Sequence, residues 1–293
     1  FPSGIEISSI DPKNAIAETN NLLVLQDVTL FEAAIEYRGC LIRVDVLEKK
    51  GSKIKLYEVK SKSYNPRTDS FITKQGTLHT AWKSYLYDVA FQKYVASNAL
   101  PHCEISAHLT LIDRTSIANQ SGINSWFKIQ TDENSKKAVF KHRGEQTLGP
   151  LNHLIHLNVN SECSLILTSD NHYSFKGISF AEVVTHLGEV VNGDLTPDPV
   201  ITSSCVSCQF HSKGHNGFDG RLECLNHYFP EKKIRSEEPL IFDLWDYKKK
   251  LSLIQEGVIR LRDITEEIFV GPDYLHGTGL SVLQRQKIQW EKV

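Results

Sequence analysis

Leu41 to Lys60 reads LIRVDVLEKKGSKIKLYEVK, and its alternation decides the fold. Leu41-Ile42-Arg43-Val44-Asp45-Val46-Leu47 alternates apolar and polar residues and is rich in β-branched side chains. Lys53 to Lys60 alternates more regularly still. Period-2 patterning of this kind marks strands. Glu48-Lys49-Lys50-Gly51-Ser52 between them is a polar turn with a glycine, so the stretch predicts a β-hairpin. Successive strand residues point to opposite faces, which puts Glu58 and Lys60 together and Val59 on the other side. The hairpin partner brings Asp45 opposite them.

Two carboxylates a few ångströms apart resist ionising together unless a cation lies between them. A hard divalent ion such as Mg²⁺ or Mn²⁺ suits that place, taking Asp45, Glu58, the Val59 carbonyl and several waters. Such an ion lowers the pKa of bound water and offsets charge that builds up on a phosphoryl group. Lys60 would orient that water or hold a phosphate oxygen. A solvated hairpin face carries the same residue types, and the spacing alone does not separate the two readings.

The following stretch, Leu78 to Ser97, reads LHTAWKSYLYDVAFQKYVAS, with apolar residues at helical spacing. Asp88 and Gln92 lie four apart, on one face close to Tyr85. A glutamine on an apolar stripe needs a hydrogen-bonding partner. Trp82, Tyr85 and Tyr94 have an ordinary use as core aromatics.

Asp45, then twelve residues to Glu58-Val59-Lys60-Ser61, then this helix, resembles the PD-(D/E)xK nuclease superfamily in its RecB-like branch. The strings FEAAIEYRGCLIRVDVL, YEVKS, YLYDVAFQKYV and IFDLWDYKKKLSLIQEGVIRLRDITEE are similar to a bacterial family of unknown function related to CRISPR-associated iron–sulfur exonucleases. The resemblance implies an α/β fold, a restriction-endonuclease-like α-β-β-β-α-β core with a mixed central sheet flanked by helices. It also implies a metal-dependent nuclease acting on DNA, with exonuclease action on single-stranded ends as in the related enzymes. Asp45, Glu58 and Lys60 would be catalytic, and Gln92 and Tyr94 would shape the site from the helix.

Six cysteines form the second constellation: Cys40, Cys103, Cys163, Cys205, Cys208 and Cys224. Cys205-Val206-Ser207-Cys208 is a CxxC that lets two thiolates grip one metal, and Cys224 follows fifteen residues later. Spacing alone permits an iron–sulfur cluster or, with His211, His215 and His227, a zinc site. The resemblance favours a [4Fe-4S] cluster bound by Cys205, Cys208 and Cys224; in the related exonucleases a fourth cysteine precedes the core, and since the first cysteine here is Cys40, that ligand is expected upstream of Phe1 or lost. Its role would be structural. The other three cysteines read as small buried hydrophobes. His153 and His156 form an HxxH with no further ligand pattern.

With 293 residues, 40% hydrophobic and 23% charged, the composition is that of an ordinary globular protein. A net charge of -2 supplies no global basic field, so contact with nucleic acid must come from local lysine clusters such as Lys60-Lys62 and Lys248 to Lys250. No apolar run approaches the length of a membrane span, and a soluble cytoplasmic protein is expected. A start at Phe1 and the absence of methionine suggest part of a longer chain, and the resemblance implies a further downstream domain.

The expected organisation is a nuclease core over 1–115, a helical and irregular extension over 116–200, a cysteine region over 201–230 and a connector over 231–293. Leu195 to Pro199, LTPDP, reads as a linker, Ser179 to Val191 as an amphipathic helix, and Thr265 as a helix cap. A rival from another class is a non-catalytic nucleic-acid-binding or assembly module that keeps the fold. A second rival is a zinc-stapled hydrolase of another substrate.

Overall fold

The computed structural model describes residues 1, 3–117, 127–131, 138–142, 153–173, 175–212, 219–246, 248–271, 273–275 and 279–292. The chain forms two compact units, Phe1–Leu195 and Thr196–Val293, divided inside the LTPDP stretch. Two units replace the four expected segments. Residues 153–195 belong with the first, and the cysteine region shares one apolar core with the segment after it.

The first unit runs β1 (Ile5–Glu6), α1 (Pro12–Leu23), β2 (Asp27–Tyr37), β3 (Cys40–Lys50), β4 (Lys53–Tyr64), α2 (Thr80–Ala99) and β5 (Glu104–Asp113). Then come β6 (Phe127–Thr131), β7 (Ala138–His142), β8 (Leu154–Asn158), α3 (Asn160–Leu167), β9 (Asn171–His172), β10 (Phe175–Lys176) and α4 (Phe180–Asn192). Six strands form a mixed sheet in the order β1-β2-β3-β4-β5-β8. The β1–β2 and β4–β5 pairs are parallel and the others antiparallel. A parallel pair needs a crossover, and α2 supplies it between β4 and β5. The polar stretch after Arg114 thus contains an edge strand, β8. The ENSKK segment and most of HRGEQ lie outside the described residues.

Local chemistry explains the boundaries. Asp11 caps α1 by accepting the Asn14 N–H at 2.9 Å, with Pro12 in the first turn. The hairpin turn is tighter than the sequence suggests: Glu48, Lys49 and Lys50 stay in β3, and Lys50 pairs with Lys53. Gly51 takes the left-handed φ of +58° that a two-residue turn requires. The His79 side chain caps α2, which ends just before Pro101, where helix is disfavoured.

The face of α2 carrying Trp82, Leu86, Val89, Ala90, Val95 and Ala96 packs on the sheet through Ile54, Leu56, Ala107, Leu109 and Leu111. Each such buried side chain contributes roughly 1.5–3 kcal/mol of transfer free energy. One irregularity matters for the site. Leu30 and Leu47 lie in the same apolar cluster as Ala33 and Val44, although strict alternation would place them on opposite faces. The switch occurs at Glu32, whose φ is +57°, at the level of Asp45, and these two are missing from an otherwise continuous ladder.

The second unit contains α5 (Gly220–Tyr228), α6 (Lys250–Gln255), α7 (Val282–Trp290) and single 3-10 turns. The stretch expected to start a helix at Thr265 is one such turn, Glu266–Ile268, with no side-chain cap. Leu225, Ile234, Ile241, Leu244, Ile259 and Leu261 make its core. Glutamines of α7 bind backbone in place of a strand: Gln286 Nε2 donates to Trp245 O at 3.0 Å and Gln289 Nε2 to Asp243 O at 2.7 Å. Among the described residues no helix is long and apolar enough to cross a membrane.

Candidate active site

The sheet comes apart where the acids sit. The β3–β4 ladder ends at Val46↔Tyr57, one step before Asp45 and Glu58. The β4–β5 ladder breaks after Val59↔Thr110 and resumes at Ser63↔Ile112. From Lys60 to Lys62, β4 therefore has no ladder partner on either side among the described residues. Asp45 closes the fork by accepting the Val59 N–H at 2.6 Å through Oδ2.

On the α2 face, Glu58 is almost fully enclosed, at 7% exposure. Its Oε1 lies 2.5 Å from Lys60 Nζ, and its Oε2 accepts from Gln92 Nε2 at 2.5 Å. Lys60 Nζ also donates to Asp88 Oδ2 at 2.8 Å. Asp88 and Gln92, one turn apart on α2, thus grip the two ends of one strand motif. The pairing of Asp88 with Lys60 escapes the sequence reading, which places Asp88 on the right helix face and gives it no role. A helical carboxylate is ordinarily solvated, and only the three-dimensional pairing distinguishes this one.

Charge in this group is unbalanced. Burial pushes the Glu58 carboxyl above its ordinary value; Lys60 and Gln92 hold it down in part, and Asp45 and Asp88 push it up again. Lys60 is shifted upward: burial disfavours the ammonium, but its hydrogen bonds to Asp88 and Glu58 outweigh that. Two carboxylates, Glu58 and Asp88, hold the one ammonium, and a third, Asp45, acts on Glu58. Among the described residues, Gln92 Oε1 is buried beside them with no hydrogen-bond partner, an acceptor open to a ligand or a water.

Tyr94 does not join this group. It packs edge-on to Tyr37 at 6.2 Å and to Phe180 at 5.7 Å, in the core. Residues 92 and 94 are about 200° apart around a helix, so both cannot face one site. Tyr85 takes the neighbouring place, with Lys60 Nζ 5.8 Å and Lys62 Nζ 5.2 Å from its ring centre. Glu32, another carboxylate of this region, turns to Arg43 at 3.5 Å.

Comparison with protein-family models, curated proteins and solved structures finds no match to this chain. The reading of the site therefore rests on its own chemistry.

Among the described residues, no three His, Cys, Asp or Glu side chains are gathered closely enough to form a metal-ligand set. For the sheet site this leaves Asp45, Glu58 and a backbone carbonyl, which suits Mg²⁺ or Mn²⁺, ions that keep several waters and take one or two carboxylates. The thiols fare differently. Cys205, Cys208 and Cys224 are neighbours, and burial together with Cys208 and Cys205 pushes the Cys224 thiol up. Cys205 Sγ accepts the Thr202 N–H at 3.4 Å. His211 pairs with Asp219 at 2.9 Å and His227 with Asp198 at 3.4 Å, and His215 lies outside the described residues. As placed, the three thiols do not form the ligand set of a cluster or of zinc.

The remaining expectations fall as follows. Cys163 is a buried hydrophobe, its thiol pushed up to about 12 by burial, while Cys40 and Cys103 are half-buried at the edge of the core. His153 and His156 separate: His153, which precedes β8, bonds Ser116 at 3.0 Å, and His156, within β8, bonds Thr110 at 2.8 Å.

Proposed function

We propose that this chain is a metal-dependent deoxyribonuclease, hydrolysing phosphodiester bonds at the fork between β3 and β4. The observation that carries the reading is the Glu58–Lys60–Asp88–Gln92 network beside Asp45, three carboxylates against one ammonium with an unpartnered amide oxygen. An excess of negative charge around the enclosed Glu58, with Asp45 and Asp88 partly exposed beside it, invites a cation. Asp45, Glu58 and the Val59 carbonyl would hold Mg²⁺ or Mn²⁺, which when bound supplies an acidified water and offsets phosphoryl charge.

The protein's own groups divide the remaining work. Lys60 stays protonated, so it serves as a fixed cation toward a phosphate oxygen or an orienting donor to water, and not as a base. Asp88 holds that ammonium in place. Gln92 fixes the Glu58 carboxylate with its N–H and offers its free oxygen to a water. The substrate class is DNA, with single-stranded ends preferred.

The test is degradation of end-labelled single- and double-stranded DNA in Mn²⁺, with Asp45→Ala and Lys60→Ala alongside. Loss of cleavage in both variants, with the circular dichroism spectrum unchanged, supports the site. One observation favours a non-catalytic nucleic-acid-binding module instead: both Glu58 oxygens are already bonded within the protein. A folded wild type that binds DNA and leaves it intact in Mn²⁺ and Mg²⁺ would select that reading. The thiol group takes no part in either; the brown colour of thiolate-ligated iron in purified protein would restore the cluster.

A further inference from the structure

We infer that a polar cleft on the far side of α2 is a binding subsite for single-stranded nucleic acid, with Lys83 and Lys176 meeting phosphates and Tyr173, outside the cleft but next to its Lys83 and Tyr87, stacking a base. The inference rests on the nucleic-acid part of the reading above and not on its catalytic part. The cleft has a volume of about 370 Å³, and its lining includes Thr77, Lys83, Tyr87, Ser169, Asn171 and Lys176, with no carboxylate among the described residues.

Its charge is unspent. Lys83 Nζ sits 4.3 Å from the centre of the Tyr173 ring and 5.6 Å from that of Tyr87. Lys176 Nζ donates to the side-chain oxygen of Asn171. Neither lysine forms an ion pair with a carboxylate among the described residues, in contrast to Lys60. Lys62 belongs to the same series: its Nζ donates to Ala81 O at 2.5 Å and lies 4.1 Å from the Trp82 ring centre. Cations left without acidic partners attract a polyanion, and each phosphate they neutralise releases counterions.

The rings point to a single strand. Tyr173 is 53% exposed and stands at a φ of +47°, a costly conformation for a tyrosine. That turn presents its ring outward, 4.8 Å from the Tyr87 ring, beside the Lys83 ammonium. Flat aromatic faces flanked by lysines bind unstacked bases without regard to sequence, whereas a duplex keeps its bases stacked on one another. The cleft also lies close to the proposed chemistry. Tyr87 precedes Asp88 in α2, and Lys62 is two residues beyond Lys60, so the two sites are separated by about one helix diameter, roughly 10 Å.

The experiment is fluorescence anisotropy of a labelled oligothymidine of about a dozen nucleotides, in EDTA, across a series of salt concentrations. The proteins are the whole chain as wild type, Lys83→Gln with Lys176→Gln, Tyr173→Ala, and Lys53→Gln as a control. Lys53 is an exposed lysine paired with Glu104 at 3.9 Å at the hairpin turn. The double variant is expected to bind about tenfold more weakly, with the slope of log K against log salt smaller by roughly 1.4, two contacts at 0.7 each for a single strand. Tyr173→Ala is expected to weaken the single strand more than a duplex probe, and Lys53→Gln to match the wild type.

An unchanged affinity and slope in the double variant would overturn the subsite, even if Mn²⁺-dependent cleavage is found. Equal weakening of duplex and single strand by Tyr173→Ala would overturn the stacking role. Binding lost in the double variant of a protein that cleaves nothing would leave the subsite standing and remove the nuclease.

Discussion

Glu58 in the first unit and Glu238 in the second are both largely enclosed carboxylates bonded to cations, with opposite results. Glu238 Oε2 meets Arg260 Nε at 2.9 Å and the Arg235 N–H at 3.1 Å, and Oε1 meets Arg262 at 3.0 Å. Hydrogen bonds from Arg260 and from the Arg235 backbone hold its carboxyl below the usual range. Glu58 is shifted upward, by burial first of all, while it shares one lysine with Asp88 and has Asp45 for a neighbour. An overcompensated carboxylate fastens chain segments together, here the stretches around 235 and 260. An undercompensated one is kept at a cost to stability, and such costs gather where a ligand is to be bound.

The sharpest way to break this comparison is to neutralise each carboxylate. Glu58→Gln is expected to lower DNA cleavage about a thousandfold, roughly 4 kcal/mol of barrier, while Glu238→Gln leaves turnover at 20 °C unchanged; initial rates decide it. Stability should respond in the reverse order. Removing the Glu238 charge leaves the enclosed Arg260 with only the more distant Asp263, at 4.0 Å, as a carboxylate partner, and is expected to cost about 2 kcal/mol in urea unfolding. Glu58→Gln, where Lys60 keeps Asp88, should stay within about 1 kcal/mol of wild type or gain.

A smaller effect probes the orphaned amide. Gln92→Leu removes both the donor to Glu58 and the free acceptor, and cleavage is expected to fall about 10- to 100-fold. Loss of affinity for Mn²⁺, measured by calorimetry, would accompany it. Unchanged rate and affinity would reduce Gln92 to a packing residue.

The smallest effect is in pH. The depressed Glu238 contributes stability that is complete above the unfolded glutamate value of about 4.3 and is lost as the pH falls through its lower folded value. Glu58, raised on folding, has the opposite sign. Its ionised form subtracts stability at neutral pH, and the deficit closes as the pH falls through its folded value toward about 4.3. Glu238→Gln should therefore flatten the curve of unfolding free energy below that pH, and Glu58→Gln above it.

The hairpin, α2 and the convergence of Glu58, Lys60 and Gln92 are legible because strict alternation and helical spacing fix which side chains share a face. What fails to show is whatever depends on pairing between distant segments. β8 is five residues long and alternates exposed with half-buried positions, too short and too weakly buried to stand out in the sequence. The pairing of Asp88 with Lys60 joins residues 28 apart. The family resemblance suggests Tyr94 for the site, yet helical phase alone argues against it. The switch of faces at Glu32 is invisible because a glutamate at positive φ has no signal in sequence.

The release of β4 from both neighbours carries a consequence for motion. Ile54 and Leu56 belong to a strand bonded on two sides, and their amides should exchange with solvent hydrogen only when the whole unit opens. A few residues further along, Lys60 to Lys62 lack ladder partners, and their amides should exchange through small local openings. A ligand that displaces Lys60 from Glu58 therefore need not disturb the sheet, and slowly and rapidly exchanging protons lie on one strand.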